Sequence, residues 1–209
     1  AKIISGYCSA LIIRTFAQSD VDQLGAYASI PVVNALTDVD HPTQLLADWL
    51  TIRENFGADI SGRKFVYMGD GNNMSHSWLI MGAIMGAHVV AATPSGKWAP
   101  DPVVVAVAKN IAANSGGKVE VTNDPEAAAK DASVLYTDVW MSMGDSESDR
   151  KEKVQALSPF AVTENLMKLT SKDSLFMHCL PAHRGEEVEA NVIDGPRSVI
   201  WREAYHRRT

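Results

Sequence analysis

The stretch FVYMGDGNN, residues 65–73, joins an apolar run to a glycine-containing turn. Its first part, Phe65–Met68, has the length and apolar character of a strand that is buried on both faces. The apolar segment Met74–Met85 follows with the pattern of a helix, so the two together form a strand–turn–helix unit. The rest of the chain alternates between strand-length apolar runs and helical patterns in the same way.

This alternation predicts an α/β fold: a Rossmann-like parallel sheet with helices on both faces. The other predicted strands are Ala10–Arg14, Ile30–Asn34, His88–Ala92, Lys118–Thr122, Ser133–Val139, Leu175–Leu180 and Ser198–Trp201. The other predicted helices are Ser19–Ala28 with Ser19 as its cap, His41–Asn55, one from Asp101-Pro102 to Gly116, and a short one from Asp124-Pro125. A hydrophilic stretch at 57–64 divides the chain into two predicted units, residues 1–57 and residues 58–209, of which the second has about five strands.

The composition restricts the classes of function. The net charge of -6 argues against a nucleic-acid partner, because binding to phosphates favours a basic face. No apolar run reaches the roughly 18 residues that a membrane span needs, so no membrane partner is expected. Cys8 and Cys179 lie far apart and form no disulfide framework, which favours a reducing, cytoplasmic compartment. The chain opens at Ala1 in what reads as the end of a helix, and we expect the front of a domain to be missing.

Three unusual local sequences follow predicted strands: Gly69–Asn73, Asp138–Gly144 and His178–Pro181. Ligands of open parallel sheets bind outside the carboxyl ends of the strands. All three segments are expected at that edge of the sheet, and the sequence therefore predicts a ligand site there.

The first of these segments invites a dinucleotide interpretation, which two observations disfavour. The third glycine of the G-x-G-x-x-G pattern is absent, since Met74 stands there, and the next strand runs into Thr93-Pro94 without an acidic residue. No nicotinamide cofactor is therefore expected. The segment is either a tight turn with a capping asparagine or a place where an asparagine amide binds a ligand carboxylate.

The other two segments also have a structural and a functional interpretation. Asp138 can pair with a substrate ammonium group, although a turn or cap aspartate is at least as common. Cys179 can be a nucleophile, although a buried, inert cysteine is commoner. A zinc site needs more ligands than His178, Cys179 and His183 provide, and no metal is expected.

Two cationic or neutral donors lie in the first unit. His41 begins a helix, and the free N–H groups of a helix N-terminus bind anions; a capping or turn histidine is the alternative. Arg14 ends an otherwise apolar strand, where its charge must be paired or must face a ligand; a structural salt bridge is equally compatible.

Together these segments resemble the carbamoyltransferases, and more narrowly their ornithine branch. The resemblance covers essentially the whole chain and rests on IIRTF (12–16), HPTQLLAD (41–48), GDGNN (69–73), TDVWMSMG (137–144), HCLPAHRGEEV (178–188) and EAYHR (203–207). HPTQ is shared with the aspartate branch, whereas the S-M-G loop and HCLP are more specific to the ornithine branch. EAYHR departs from the EAENR consensus but keeps its arginine.

The resemblance implies two α/β domains, with residues 1–57 a remnant of the carbamoyl-phosphate domain and residues 58–209 the ornithine domain. It implies transfer of the carbamoyl group of carbamoyl phosphate to the side-chain amine of L-ornithine, which yields L-citrulline and phosphate for arginine biosynthesis. It also implies no metal or organic cofactor, and a homotrimer or a multiple of trimers. The family's phosphate-gripping S-x-R-T-R segment and its last helix are absent, so we expect the isolated chain to be inactive.

The resemblance also assigns the site residues. Arg14 and His41 would hold the carbamoyl oxygen and Gln44 the carbamoyl amide, with Arg14, His41 and Cys179 as the catalytic residues. The residues implied for carbamoyl phosphate are Arg14, His41, Pro42, Thr43, Gln44, Cys179, Leu180 and Arg207. The residues implied for ornithine are Asn73 and the Met143 backbone for the carboxylate, and Asp138 and Ser142 for the α-ammonium.

Two alternatives remain open at this point: a non-catalytic amino-acid-binding module, and a carbamoyltransferase for putrescine or an acylated ornithine. The polar stretch Met141–Lys153 is predicted to be mobile without ligand and to fold over ornithine as a lid. Cys179 is predicted to orient the amine rather than to act covalently, with a thiol that still reacts in the free enzyme.

Overall fold

The computed structural model describes residues 1–141 and 148–208. Its strands are β1 (Leu11–Arg14), β2 (Val32–Leu36), β3 (Lys64–Met68), β4 (His88–Ala92), β5 (Lys118–Thr122), β6 (Val134–Thr137) and β7 (Leu175–His178). Its helices are α1 (Lys2–Ser5), α2 (Gln18–Tyr27), α3 (Pro42–Phe56), α4 (Asn73–Ile84), α5 (Pro102–Ser115), α6 (Pro125–Ala129), α7 (Arg150–Leu157), α8 (Glu164–Leu169), α9 (Ala190–Ile193) and α10 (Ile200–His206). None of the helices in this part of the chain is long and apolar enough to cross a bilayer.

The strands form two parallel sheets. The smaller sheet pairs β1 with β2, and the larger one has the order β5-β4-β3-β6-β7. Because the chain builds outward from β3 to β5 and then returns to the other side of β3, the direction of winding reverses between β3 and β6. Such a reversal opens a crevice at the carboxyl ends of the two strands, which is where ligands bind in folds of this kind. The predicted α/β class with a parallel sheet is confirmed.

The larger sheet is covered on both faces, as its continuous apolar strands require. Alternate residues of β3, Phe65 and Tyr67, face a core built with α3, α4 and α5. The residues between and after them, Val66 and Met68, face a second core built with α6, α8, α9 and Ile200 of α10. Because side chains alternate between the two faces of a strand, β3 contributes residues to two separate cores.

Helix α3 packs on the larger sheet although it precedes the polar stretch at 57–64. Trp49 meets the Phe65 ring edge-on, with ring centroids 5.3 Å apart, and lies 6.1 Å from the ring of Trp78. Both Trp49 and Ile52 belong to the same buried cluster as the sheet. The helix therefore fixes the smaller sheet, which precedes it, against the larger one. The division of the chain at residues 57 and 58 remains a prediction.

Most predicted elements are confirmed with shifts of one or two residues at their ends. Strands β4 and β5 have the predicted bounds. Helix α5 begins after Asp101, whose side chain accepts a hydrogen bond from Val103 N at 2.7 Å, and ends at Gly116 with a left-handed φ of 82°. Both the cap and the glycine are where the sequence predicts them.

Two predictions were wrong. Ser19 does not cap α2, which begins at Gln18, because the free N–H of Gln18 donates to the Asp38 side chain at 3.2 Å instead of to a local cap. Ser198–Trp201 is not a strand: Ser198 makes an isolated bridge to Phe176, and the chain then enters α10. The buried residues of α10 follow helical spacing, and its Trp201 points to solvent.

Candidate active site

A cavity of about 460 Å³ lies at the carboxyl ends of both sheets. Its walls come from the ends of β1 and β2, the start of α3, and the loops that follow β3, β6 and β7. It brings together eight of the predicted site residues: Arg14, His41, Gln44, Asn73, Asp138, Cys179, Leu180 and Arg207. The edge predicted from the three unusual loops is therefore the edge that carries the cavity.

The start of α3 supplies one wall of the cavity. His41 precedes the helix, and its backbone N–H donates to the Ser77 hydroxyl at 2.7 Å. Burial, together with the nearby charges of Arg14 and Arg207, lowers the pKa of His41 to about 4. The imidazole is therefore neutral at physiological pH, and it can donate one ring N–H to a ligand.

Two of the residues assigned to carbamoyl phosphate are outside the cavity lining. Pro42 occupies the first turn of α3, where its lack of an N–H costs nothing. The Thr43 hydroxyl donates to the Ala35 carbonyl at 3.1 Å, which ties α3 to the end of β2. Both residues have a structural role at this helix start, and their part in substrate binding remains a prediction.

Gln44 lies one turn into α3 and is almost fully buried. Its amide nitrogen donates to Asp48 at 2.7 Å and to Glu203 at 3.2 Å. Since both amide hydrogens are used in this way, the oxygen is the polar atom that Gln44 has left for the cavity it lines.

Asp138 follows β6 at the point where the sheet order reverses. One carboxylate oxygen accepts from its neighbour's N–H at 2.7 Å and from the Cys179 thiol at 2.9 Å. The other oxygen accepts from the Asn72 amide at 3.2 Å. A negative charge is thus held in a defined position at the cavity wall, where it can pair with a ligand ammonium group.

The two asparagines of the GDGNN turn have different roles: one caps a helix and the other lines the cavity. Asn72 caps α4, because its side-chain oxygen accepts from Met74 N and Ser75 N at 2.9 and 3.2 Å. Asn73 lines the cavity and donates one amide hydrogen to the Thr37 carbonyl at 2.8 Å. Sequence reasoning singled out Asn73 but missed that Asn72 also orients Asp138, since the local capping pattern gives no sign of a partner 66 residues away.

Cys179 is buried beside Asp138. Burial raises the pKa of its thiol well above the usual range, and the negative charge of Asp138 raises it further. The thiol is therefore protonated and acts as a hydrogen-bond donor. This geometry favours the predicted orienting role over covalent catalysis, and it argues against the predicted reactivity in the free protein, because the thiolate is the reactive form.

His178 fixes the backbone of the same loop. Its Nδ1 accepts a hydrogen bond from Leu180 N at 2.8 Å, so the ring hydrogen is on Nε2, which lies 3.2 Å from the Glu187 carboxylate. The side chains of both His178 and Glu187 are fully buried. Leu180 is held at a positive φ of 54°, an uncommon conformation for leucine that turns the loop into the cavity.

Two family models match the chain in sequence. The model for the carbamoyl-P binding domain of aspartate/ornithine carbamoyltransferase matches residues 1–54, and that for the Asp/Orn binding domain matches residues 61–209. The chain belongs to the aspartate/ornithine carbamoyltransferase family. The predicted boundary falls between the two matched ranges.

Individual carbamoyltransferases are similar over almost the whole chain. The ornithine carbamoyltransferase of Pyrococcus horikoshii is 51% identical over 207 residues, which are 99% of this chain and 64% of that protein. The anabolic ornithine carbamoyltransferase of Pyrococcus furiosus is 49% identical over 99% of this chain and 65% of its own length. The chain thus spans just under two thirds of these curated relatives.

Solved structures show the same likeness in three dimensions. The ornithine carbamoyltransferase of Pyrococcus furiosus matches with a TM-score of 0.92 and 49% identity, over 98% of this chain and 64% of that one. The enzyme of Gloeobacter violaceus matches with a TM-score of 0.90 and 44% identity, over 98% and 68%. The fold at the cavity is therefore that of known carbamoyltransferases.

The segment predicted as a lid in this carbamoyltransferase chain is partly outside the described residues. Ser142 and Met143, both assigned to ornithine, belong to residues 142–147, which the structure does not describe. Lys153, at the other end of the segment, is buried and pairs with Asp70 at 2.6 Å, 5.1 Å from the Trp98 ring. This end of the segment is therefore held in place, because the apolar stem of the lysine packs inside while its charge is paired. The movement of the segment over ornithine remains a prediction.

The described residues contain one grouping of potential metal ligands, His183, Glu186 and Glu187, within 4.8 Å of one another. Its carboxylates already have other partners. Glu186 pairs with Arg150 at 2.6 Å, and Glu187 accepts from His178 and from the His183 backbone. We therefore assign these three residues to the support of the β7 loop.

Proposed function

We propose that this chain forms the ornithine site, and part of the carbamoyl-phosphate site, of an ornithine carbamoyltransferase. Such an enzyme transfers the carbamoyl group of carbamoyl phosphate to the side-chain amine of L-ornithine and releases L-citrulline and phosphate. The observation that carries the proposal is one cavity with donors for an anion on one wall, Arg14, His41 and Arg207, and the Asp138 carboxylate on the other. The similar proteins are ornithine carbamoyltransferases, which supports the same reaction.

The anionic substrate would lie against the start of α3. The neutral amine of ornithine attacks the carbonyl carbon of carbamoyl phosphate, and negative charge develops on the carbonyl oxygen. Arg14 and one N–H of His41 can stabilise that charge, each donor by about 3 kcal/mol. A new C–N bond forms, the C–O bond to phosphate breaks, and the leaving phosphate can take up the proton that the amine loses.

The amino acid would lie against the loops after β3 and β6. Asp138 would pair with the α-ammonium and Asn73 would donate to the carboxylate, with Ser142 and the Met143 backbone as further contacts. Cys179, with the Leu180 backbone, would orient the attacking amine. Holding the two substrates in line supplies much of the rate acceleration in such a transfer.

The cellular setting extends this proposal. We propose arginine biosynthesis as the pathway, a cytoplasmic location, and a homotrimer or a multiple of trimers as the assembly of the full protein. We also propose the domain division at residues 57 and 58. Gel filtration with light scattering tests the assembly, and a dimer would contradict it.

Citrulline formation tests the activity. The full-length protein should form citrulline from carbamoyl phosphate and L-ornithine, and it should use putrescine or N-acetylornithine poorly, because neither offers Asp138 and Asn73 a free α-amino acid. If the protein were active only with putrescine or with the acylated ornithine, L-ornithine would be the wrong substrate and that amine would take its place. Ornithine binding without any turnover would favour the non-catalytic amino-acid-binding module.

A further inference from the structure

A pair of buried carboxyl groups lies behind Gln44. Asp48 is on the next turn of α3 and Glu203 is on α10, 159 residues from Gln44 along the chain, and both are fully buried. The Gln44 amide nitrogen donates one hydrogen to Asp48 Oδ1 at 2.7 Å and the other towards Glu203 Oε1 at 3.2 Å. Gln44 lines the cavity, whereas the cavity lining given by the described residues includes neither carboxyl group.

The chemistry of the three groups dictates the orientation of the amide. A carboxylate only accepts hydrogen bonds, whereas a carboxamide offers two donors on nitrogen and an acceptor on oxygen. If the Gln44 amide were turned over, its oxygen would face the acceptors and two buried polar contacts would be lost, each worth roughly a tenfold change in an equilibrium. The nitrogen therefore points to the carboxyl pair and the oxygen points to the ligand.

We propose that Asp48 and Glu203 are positioning residues that hold the Gln44 oxygen, and not its nitrogen, towards the carbamoyl group. This inference rests on the proposed function, because it needs carbamoyl phosphate as the ligand. An oxygen in this position accepts a hydrogen bond from the carbamoyl N–H. An acyl phosphate that carries a methyl group in place of the amide has no hydrogen to donate there, so the pair selects for the carbamoyl group.

The protonation of the pair is consistent with this role. Burial raises the pKa of Asp48 to about 7 and that of Glu203 well above its usual range. The pair therefore retains at least one proton near neutral pH, which limits the negative charge buried behind Gln44, and Arg207 lies nearby. The Asp48 oxygen is the closer of the two acceptors, at 2.7 Å from the Gln44 nitrogen against 3.2 Å for Glu203.

Glu203 also connects the pair to the loop that carries Cys179. Its second oxygen accepts from the His178 backbone N–H at 3.0 Å. One carboxyl group on α10 thus contacts both Gln44 on α3 and the end of β7, two of the walls of the cavity.

The test compares carbamoyl phosphate with acetyl phosphate in the full-length protein, whatever flanks these 209 residues. Acetyl phosphate, used as a competitive inhibitor of citrulline formation, shares the phosphate and carbonyl groups but has no N–H. Asp48→Leu removes the main acceptor for the Gln44 nitrogen. It should raise the KM for carbamoyl phosphate about tenfold and leave the inhibition constant of acetyl phosphate within about twofold of wild type.

Two control variants separate positioning from packing. Thr51→Val breaks another buried contact between α3 and α10, the 2.7 Å hydrogen bond between the Thr51 hydroxyl and His206 Nδ1, without touching Gln44. It should leave the selectivity for carbamoyl over acetyl phosphate unchanged. Asp48→Asn keeps an oxygen acceptor in the same place and can donate its amide hydrogens to Glu203, so it should retain nearly the wild-type selectivity.

The outcomes are distinguishable. Equal weakening of both acyl phosphates by Asp48→Leu, or the same loss of selectivity in Thr51→Val, would overturn the positioning role while citrulline formation by wild type upholds the proposed function. A wild-type protein that forms no citrulline would overturn the proposed function itself. If Asp48→Leu does not fold, Glu203→Met removes the second acceptor, and an unchanged selectivity in that variant would contradict the inference.

Discussion

Asp138 illustrates how the fold can hold a single side chain in position for a ligand. Its two oxygens accept hydrogen bonds from Val139, Cys179 and Asn72, and these contacts fix the direction of the carboxylate. Because the donors are an N–H, a thiol and an amide, none of them neutralises its charge. A ligand ammonium group in the cavity can therefore form the ion pair.

Replacing Asp138 with Asn should affect one substrate far more than the other. The variant loses the charge and should raise the KM for ornithine about 10- to 100-fold, the usual effect of losing a hydrogen bond to a charged group. The KM for carbamoyl phosphate should stay within about twofold. Steady-state kinetics on the full-length protein measures both, and a similar rise in the two constants would contradict the assignment. Asp124→Asn, which changes the helix cap of α6, is a matched control.

Asp48 should make stability depend on pH in a defined direction. Its pKa is raised by burial from 3.8 to about 7. Between these two values the folded state binds a proton that the unfolded state has lost. The contribution of this protonation to stability is complete below about pH 4 and disappears as the pH rises through 7. Asn at this position does not titrate. Between pH 4 and pH 8, the free energy of unfolding of Asp48→Asn should therefore rise relative to that of wild type, by an amount on the order of a few kcal/mol.

Urea unfolding at several pH values measures this difference. Subtracting the wild-type free energy from that of the variant removes the contributions of other groups, including His41, whose pKa shift has the opposite effect. A difference that stays constant from pH 4 to 8 would show that Asp48 is ionised in both states.

The sequence predicted the residues that lie next to motif segments and missed those that support them. Asp138 and Cys179 follow strands, and the edge of a parallel sheet brings such positions together whatever the intervening chain does. The pairing of Asp48 with Glu203 depends on how α10 packs against α3, and nothing local in EAYHR indicates which residue of that helix is buried. Here only the three-dimensional arrangement reveals the partner.

At the scale of elements, helix α4 lies very close to the larger sheet at Gly82. A Cβ atom added to this residue of α4 would lie 1.9 Å from a methyl carbon of Val89 on β4. Val89 is fully buried and, being β-branched, has little freedom to move away. The helix can approach the strand because Gly82 has no side chain.

Gly82→Ala should therefore destabilise the protein by roughly 1–3 kcal/mol, the usual cost of overpacking a core. Gly25→Ala in α2 is the matched control, because an added Cβ there meets nothing within 4 Å. The control should be neutral or more stable by about 0.5–1 kcal/mol, since alanine favours a helix over glycine. The midpoints of urea unfolding compare the two variants, and equal midpoints would contradict the packing argument.

Some boundaries of helices and strands are set by the local sequence, and others by contacts with distant parts of the chain. Helix α5 has its aspartate cap, its proline and its terminal glycine within its own sequence, and its bounds were predicted correctly. The start of α2 and the nature of the segment at 198–201 depend on Asp38 and on Phe176, which lie elsewhere in the chain. The sequence signals were too weak there to reveal the tertiary contacts that decide the outcome.

At the scale of the whole molecule, the smaller sheet is poorly covered, and none of its strand residues is fully buried. Among the apolar residues of its two strands, Leu11, Ile13 and Val32 are half-buried, while Ile12 is 75% exposed and Val33 is 39% exposed. The larger sheet, in contrast, is buried on both faces. Exposed apolar strands of this kind associate with other chains or domains.

We predict that residues 1–209, expressed alone, form no citrulline above background and self-associate. Without the S-x-R-T-R segment that grips phosphate in the family, the dianion is left to Arg14, His41 and Arg207 among the described cavity side chains. Weak binding of ornithine should persist, because Asn73 and Asp138 are positioned by the segments that follow β3 and β6 of the larger sheet. Turnover and light scattering test both statements, and turnover close to that of a full-length relative would contradict the first.

The contrast between the two cysteines makes the molecule simple to follow in solution. Cys8 is exposed and Cys179 is buried as a protonated thiol. A maleimide dye should therefore attach at Cys8 in the natural sequence, without any substitution. Cys8 adjoins Tyr7, which is 83% exposed, and its sulfur contacts the Ile4 carbonyl at 3.3 Å. The dye would lie beside the apolar residues of α1, and its fluorescence would respond to any chaperone, domain or second copy that covers them.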